Sequence, residues 1–88
     1  MSKKPFDSAK DAKNVAKHSV SLDRVADFVE VAVLVDDRFD YGETRYRAWG
    51  YIDGVAHCLA FTFRDGAMRP ISLRRAHAKE MKRYVKEA

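Results

Sequence analysis

Residues 44–73 read TRYRAWGYI-DG-VAHCLAFTFR-DG-AMRPISL, with hyphens added at the two Asp-Gly pairs. Three runs rich in β-branched and aromatic residues are separated by Asp53-Gly54 and Asp65-Gly66. Asp-Gly between such runs signals a two-residue hairpin turn, because both central positions of a type I′ turn need positive φ. The stretch therefore predicts an antiparallel meander. With turns of that length Ile52 pairs with Val55 and Arg64 with Ala67, and the register of every other pair follows. One face then collects Tyr46, Ala48, Ile52, Val55, Leu59, Phe61, Phe63 and Met68, which reads as a core. The other collects Glu43, Arg45, Arg47, Trp49, Thr62, Arg64 and Arg69, with Cys58, Ala60, Ile71 and Leu73 toward one end. Arg45, Thr62 and Arg69 form one cross-strand row, and Glu43 lies opposite Arg64.

Upstream, VAVLVDDR is dense in β-branched residues and predicts a strand over 31–36, followed by a polar loop ending at Gly42. Before it, Ser21 caps an expected second helix with Leu22, Val25, Ala26 and Val29 as its apolar stripe, fading near Glu30. The first helix is expected over 8–17, with Asp7 as N-cap. Its apolar repeat is Ala9, Ala12, Val15 and Ala16, and Lys10, Lys13 and Lys17 fall on another face. Downstream of the meander RRAHAKEMKRYVKE, residues 74–87, predicts a closing helix with Ala78, Met81 and Val85 on one side. The fold class is α+β: two short N-terminal helices, an antiparallel meander of three to four strands and a C-terminal helix.

The chain has 88 residues, room for one core, so residues 1–88 are expected to form a single domain with 1–5 flexible. Apolar residues make up 47%, enough to fold without a disulfide or structural metal. Cys58 is the single cysteine, so no disulfide framework exists and a reducing compartment fits. Neither a signal peptide nor a membrane span is legible, and the expected location is cytoplasmic. Seventeen Lys plus Arg against thirteen Asp plus Glu give a net charge of +4, which makes a polyanion a plausible partner. No histidine or carboxylate pair has metal-ligand spacing, and the four glycines are isolated, so neither a metal centre, a cofactor nor a phosphate-cradling loop is expected.

The placement of the cations points to RNA. Arginine forks bind phosphates in bidentate fashion, and an exposed aromatic beside them supplies a stacking platform for unpaired bases. Arg47, Trp49 and Arg64 on the sheet, with Lys17, Arg75 and Lys79 beyond it, are the candidate RNA contacts. The competing reading makes Arg47 and Arg64 solvated charges paired with Glu43 and the loop aspartates. Among the histidines, His57 lies on the core-side register and reads as structural, and His77 as a surface residue of the last helix. His18 closes the first helix, either as a favourable C-terminal charge or as a proton carrier.

The ordered set Phe6-Asp7, Lys10, Asn14, Lys17-His18, Gly42-Glu43-x-Arg45 and Arg69-x-Ile71-Ser72-x-Arg74-x-Ala76-x-x-x-Glu80-x-x-x-Tyr84 resembles the BrnT family of bacterial ribonuclease toxins. The resemblance implies a RelE-like fold and an RNA-cleaving activity that blocks translation. It also implies a BrnA-like ribbon-helix-helix antitoxin that neutralises the toxin and binds operator DNA. Two departures stand out: Ser19 occupies the glycine position after Lys17-His18, and the tryptophan that follows the first Phe is missing.

Metal-free RNA cleavage needs a base for the ribose 2′-hydroxyl, cations for the phosphorane and an acid for the leaving 5′-oxygen. Arg45, Arg69 and Arg74 are the candidates for the phosphate. His18, Glu43 or Glu80 is the candidate base, and Tyr84 could orient substrate or donate a proton. Glu80 and Tyr84 can equally be an i, i+4 pair that merely supports a helix. Two other functions stay open: a noncatalytic basic nucleic-acid-binding module, and an inactive relative kept as a protein-interaction subunit. An antitoxin is expected to cover the arginine face, where Trp49, Ile71 and Leu73 would offer apolar area.

Overall fold

The computed structural model describes Phe6 and residues 8–85. The elements run α1 (Ser8–His18), a 3₁₀ helix (Leu22–Asp27), β1 (Val29–Asp36), β2 (Arg45–Ile52), β3 (Val55–Arg64), β4 (Ala67–Arg75) and α2 (Ala78–Tyr84). The four strands form one antiparallel sheet in the order β1-β2-β3-β4. The α+β class is as expected, and both hairpins close as read from Asp-Gly. Asp53 and Gly54 have φ of 49° and 75°, Asp65 and Gly66 of 52° and 79°. The Asp7 cap, the expected flexibility of residues 1–5 and the end of the expected C-terminal helix lie outside the described residues.

The core is Phe6, Leu22, Ala48, Ile52, Leu59, Phe61 and Leu73, flanked by Val20, Val25, Phe28, Tyr46 and Met68. Both α1 and the 3₁₀ helix pack on β4, so the cover lies over one half of the sheet. Val55 and Phe63, expected in the core, stay exposed because nothing among the described residues covers the ends of that face.

The second helix is a correction. Ser21 does cap it, accepting from the Asp23 N–H at 3.1 Å, but it is a 3₁₀ turn that stops at Asp27. Val29 and Glu30 belong to β1, because pairing to β2 satisfies their backbone groups and the β-branched run resists continuing a helix. β1 comes so close there that a Cβ at Gly50 would overlap the Val29 carbonyl, so only glycine fits. The C-terminal helix is shorter than expected. Arg74 and Arg75 extend β4 instead, and α2 spans seven residues with none buried.

The way α1 docks is a second correction. Ala9, Ala12, Val15 and Ala16 are all exposed, and the buried residue of the helix is Asn14. Its Nδ2 donates to the Val20 carbonyl at 2.7 Å and the Leu73 carbonyl at 2.9 Å, while the Leu73 N–H donates to Oδ1 at 3.1 Å. One helical turn earlier, the Asp11 carboxylate accepts from the Ser21 hydroxyl and from the Leu22 N–H at 2.7 Å. The helix thus docks through an amide that completes the outer edge of β4, where backbone groups have no further strand to pair with.

A third correction concerns the register. Pairing follows the hairpin as far as Phe61↔Pro70 and then shifts, with Ala60 opposite Ser72 and Ile71 left unpaired as a bulge. Pro70 has no N–H to give to the ladder, which favours a bulge at this point. The slip turns every later residue of β4 over. Leu73 faces Leu59 in the core instead of the arginine side, and Arg74 comes opposite Cys58.

Candidate functional site

α1 ends against β4 to form a groove lined by Lys10, Lys13, Asn14, Lys17, His18, Ile71 and Ser72, about 320 Å³ in volume. It adjoins a cleft of about 70 Å³ lined by Phe6, Lys10, Thr62, Arg64, Arg69, Pro70 and Ile71. Lys10 and Ile71 line both. The bulge at Ile71 therefore sits at the junction of two basic hollows. Lys10, Lys13 and Lys17 recur at helical spacing on α1, while the Asn14 amide fixes that helix to β4 beside Ser72.

His18 lies in this groove. Partial burial, then the charges of Lys17 and Arg74, lower its pKa from the ordinary histidine value, which favours the neutral ring. A neutral imidazole can accept a proton. Ser19 ends the helix with φ of 59°, donating its N–H to the Val15 carbonyl at 2.8 Å. Serine thus takes a left-handed position that favours glycine, and holds His18 at the helix terminus with some strain.

The two carboxylates considered as bases are committed elsewhere. Glu43 takes Arg64 at 3.2 Å and Arg45 at 3.6 Å, and the Arg64 hydrogen bonds hold its carboxyl below the usual carboxylate range. Glu80 grips Arg74 at both ends, with Nη1 at 2.8 Å and Nη2 at 2.6 Å, and accepts from the His77 N–H at 3.1 Å. The bond to Arg74 overcomes partial burial and lowers its pKa to about 2. Carboxylates with so little proton affinity are poor general bases.

Trp49 is a correction. It is fully buried, because Tyr84 of α2 stacks on it with ring centroids 4.1 Å apart and 11° between the planes. Arg47 lies over the same pair, 5.1 Å from the Trp49 ring and 5.2 Å from that of Tyr84. The expected open stacking platform is therefore closed by the C-terminal helix, and Tyr84 is engaged there rather than in the basic groove. Leu73 is buried as well, so of Trp49, Ile71 and Leu73, the apolar residues expected to receive an antitoxin, only Ile71 is half-exposed.

Of the other candidates, Arg69 is exposed beside Thr62 and lines the small cleft with Arg64. Arg45 stands across Thr62 from Arg69, beside the Tyr41 ring at 4.2 Å. Arg74 is half-buried under Glu80. Arg75 lines a separate cleft of about 410 Å³ with Arg24, Asp53 and His57, and Lys79 is exposed on α2, so neither belongs to the groove. His57 is buried with Nδ1 2.8 Å from the Val55 carbonyl, in keeping with a structural role. His77 is exposed at the start of α2. Lys10, Lys13, Asn14 and Ser72 were not among the sequence-derived site residues. Their only signal was the helical repeat of lysines and the place of Lys10, Asn14 and Ser72 in the ordered set. Among the described residues no cluster of His, Cys, Asp or Glu could hold a metal ion.

The family model for the ribonuclease toxin BrnT, of type II toxin-antitoxin systems, matches residues 6–80. The chain belongs to the BrnT family. Family membership makes it a relative of ribonuclease toxins, with an antitoxin partner and an RNA substrate implied at family level. The match takes in α1, the whole sheet and Glu80, and stops short of Tyr84. No curated protein and no solved structure matches the chain. No helix among the described residues is long and apolar enough to cross a membrane.

Proposed function

We propose that this BrnT-family chain is a metal-independent endoribonuclease toxin of RelE-like architecture, acting in the cytoplasm, whose reaction takes place in the groove between α1 and β4. The observation that carries the proposal is the placing of His18 in one groove with Lys10, Lys13 and Lys17. RNA brings its own nucleophile, so the reaction asks for proton transfer and charge stabilisation. His18 removes the 2′-hydroxyl proton, the 2′-oxygen bonds to phosphorus, and the phosphorane charge is met by the groove lysines with Arg69 and Arg74. The imidazolium so formed returns its proton to the departing 5′-oxygen. The products are a 2′,3′-cyclic phosphate and a 5′-hydroxyl. Arg45, Arg64 and Arg47 extend the cationic surface for the strand on either side, and Glu43, Glu80 and Tyr84 hold arginines and α2 in place. Cleavage of cellular RNA stops translation, and a BrnA-like ribbon-helix-helix antitoxin neutralises the toxin and carries the complex to operator DNA.

Purified protein should cut RNA in EDTA and leave cyclic phosphate ends. His18→Ala should lower the rate by about 10² to 10⁴, the usual worth of a general base, with RNA binding kept. The wild-type rate should climb with pH along a limb whose midpoint lies below 6.5, since the ring acts when unprotonated. An unchanged rate in His18→Ala would reject the assignment. RNA that is bound but never cut by the wild type would favour the noncatalytic reading, which draws on the commitment of Glu43 and Glu80 to arginines.

A further inference from the structure

The lysine groove and the run of exposed apolar side chains on β1 lie at opposite edges of this sheet. The lysine groove lies along β4, whereas β1 is the far edge, three strand spacings or about 14 Å away. Five of the eight residues of β1, namely Val29, Val31, Val33, Leu34 and Val35, are exposed hydrophobics. Val33 and Val35 lie opposite Ala48 and Tyr46 on the core side of the sheet, where the aromatic cluster of Tyr46, Phe61 and Phe63 continues the apolar surface. Phe63 is 53% exposed there. Native edge strands are commonly guarded by lysine or by a covering loop, and contiguous apolar patches of this kind mark interaction sites.

Charge identifies the occupant. From Val25 to Asp37 the chain has no Lys or Arg and four carboxylates, Asp27, Glu30, Asp36 and Asp37. This segment is formally −4 in a chain of +4, but Asp27 is paired with Arg24 at 3.1 Å and the buried Asp36 with Arg38 at 2.8 Å, which leaves Glu30 and Asp37 as the carboxylates that face a partner. A second copy pairing its own β1 antiparallel about a two-fold would bring Glu30 of each copy toward Asp37 of the other, acid against acid.

We propose that β1 is the docking edge for the antitoxin, which adds an extended segment with alternating apolar side chains and Lys or Arg at its ends. This inference rests on the antitoxin reading given above and names its site. Main-chain hydrogen bonds to the edge would supply affinity, and the apolar side chains would cover Val33, Val35 and Phe63.

The test pairs full-length protein with the ribbon-helix-helix protein encoded beside it. The variant carries Val33→Lys and Val35→Lys together, both at exposed positions. It should keep the wild-type circular dichroism and growth arrest, lose about a hundredfold in antitoxin affinity, and escape neutralisation. Hydrogen exchange on the wild-type complex should protect residues 31–36. Unchanged affinity in the double variant, or protection confined to α1 and residues 69–75, would overturn the β1 site while leaving the antitoxin reading intact. A wild-type protein that fails to bind its neighbour's product would overturn both. A wild-type dimer in sedimentation that the double variant breaks would overturn the antitoxin in favour of a second copy.

Discussion

Asn14→Ala should cost this domain a large part of its stability and, with it, the geometry of the groove. The amide makes three hydrogen bonds at 2.7, 2.9 and 3.1 Å and is only 5% exposed. At about 1 kcal/mol net for each bond the loss is roughly 3 kcal/mol, and more if the Leu73 N–H and carbonyl stay dry without partners. A domain of this size holds on the order of 5 kcal/mol in all, so the midpoint of thermal unfolding should fall by roughly 12 to 24 °C. Urea titration followed by circular dichroism measures the first number, and RNA cleavage at a temperature where the variant stays folded measures the effect on the groove. Asn14→Asp separates the donor from the acceptor. Its carboxylate would face the Val20 and Leu73 carbonyls where Nδ2 now donates, which raises the folded pKa above the unfolded value of about 3.9. Relative to wild type its stability should therefore be fully present below that value and drain away as pH rises through the raised folded pKa. An Asn14→Ala protein within 0.5 kcal/mol of wild type, or an Asn14→Asp difference that grows toward acid, would refute the claim that this amide docks α1.

Ser19→Gly should raise stability by about 1 kcal/mol, because the residue sits at φ of 59° and glycine pays no steric penalty there; a lowered melting temperature would count against the strained cap. Glu80→Gln should weaken the bidentate hold on Arg74 by about 2 kcal/mol and loosen α2, with the fluorescence of Trp49, the sole tryptophan, shifting to the red as Tyr84 leaves it. In the wild type the Glu80 pKa of about 2 lies below the ordinary 4.5, so its contribution is present above 4.5 and is lost as pH falls toward 2, a loss absent from the Gln variant. Arg69→Ala should cut RNA affinity and toxicity with little change in melting temperature, since the side chain is exposed; an unfolded variant would show that Arg69 supports the sheet instead.

Sequence alone determined what depends on neighbours along the chain. Asp53-Gly54 and Asp65-Gly66 specify their turns through backbone conformations few residues adopt, so both hairpins, the Arg45–Thr62–Arg69 row and the structural placing of His57 could be derived. The ordered residues from Phe6 to Glu80 likewise carried the family. Only the tertiary structure decided which surfaces meet. The bulge after Pro70 depends on how β4 must pair with β3, and it moved Leu73 into the core and Arg74 to the other face. The Ala9, Ala12, Val15 and Ala16 repeat carried too little apolar area to outweigh three hydrogen bonds from Asn14, so α1 turned its lysines and His18 toward the β4 edge. Trp49 lost its expected exposure to a ring 35 residues downstream, and β1 kept its valines exposed because the helices had already been spent on β4. Those outcomes turn on contacts between residues far apart in the chain, where hydrophobic pattern constrains what each face is but not what it will find opposite.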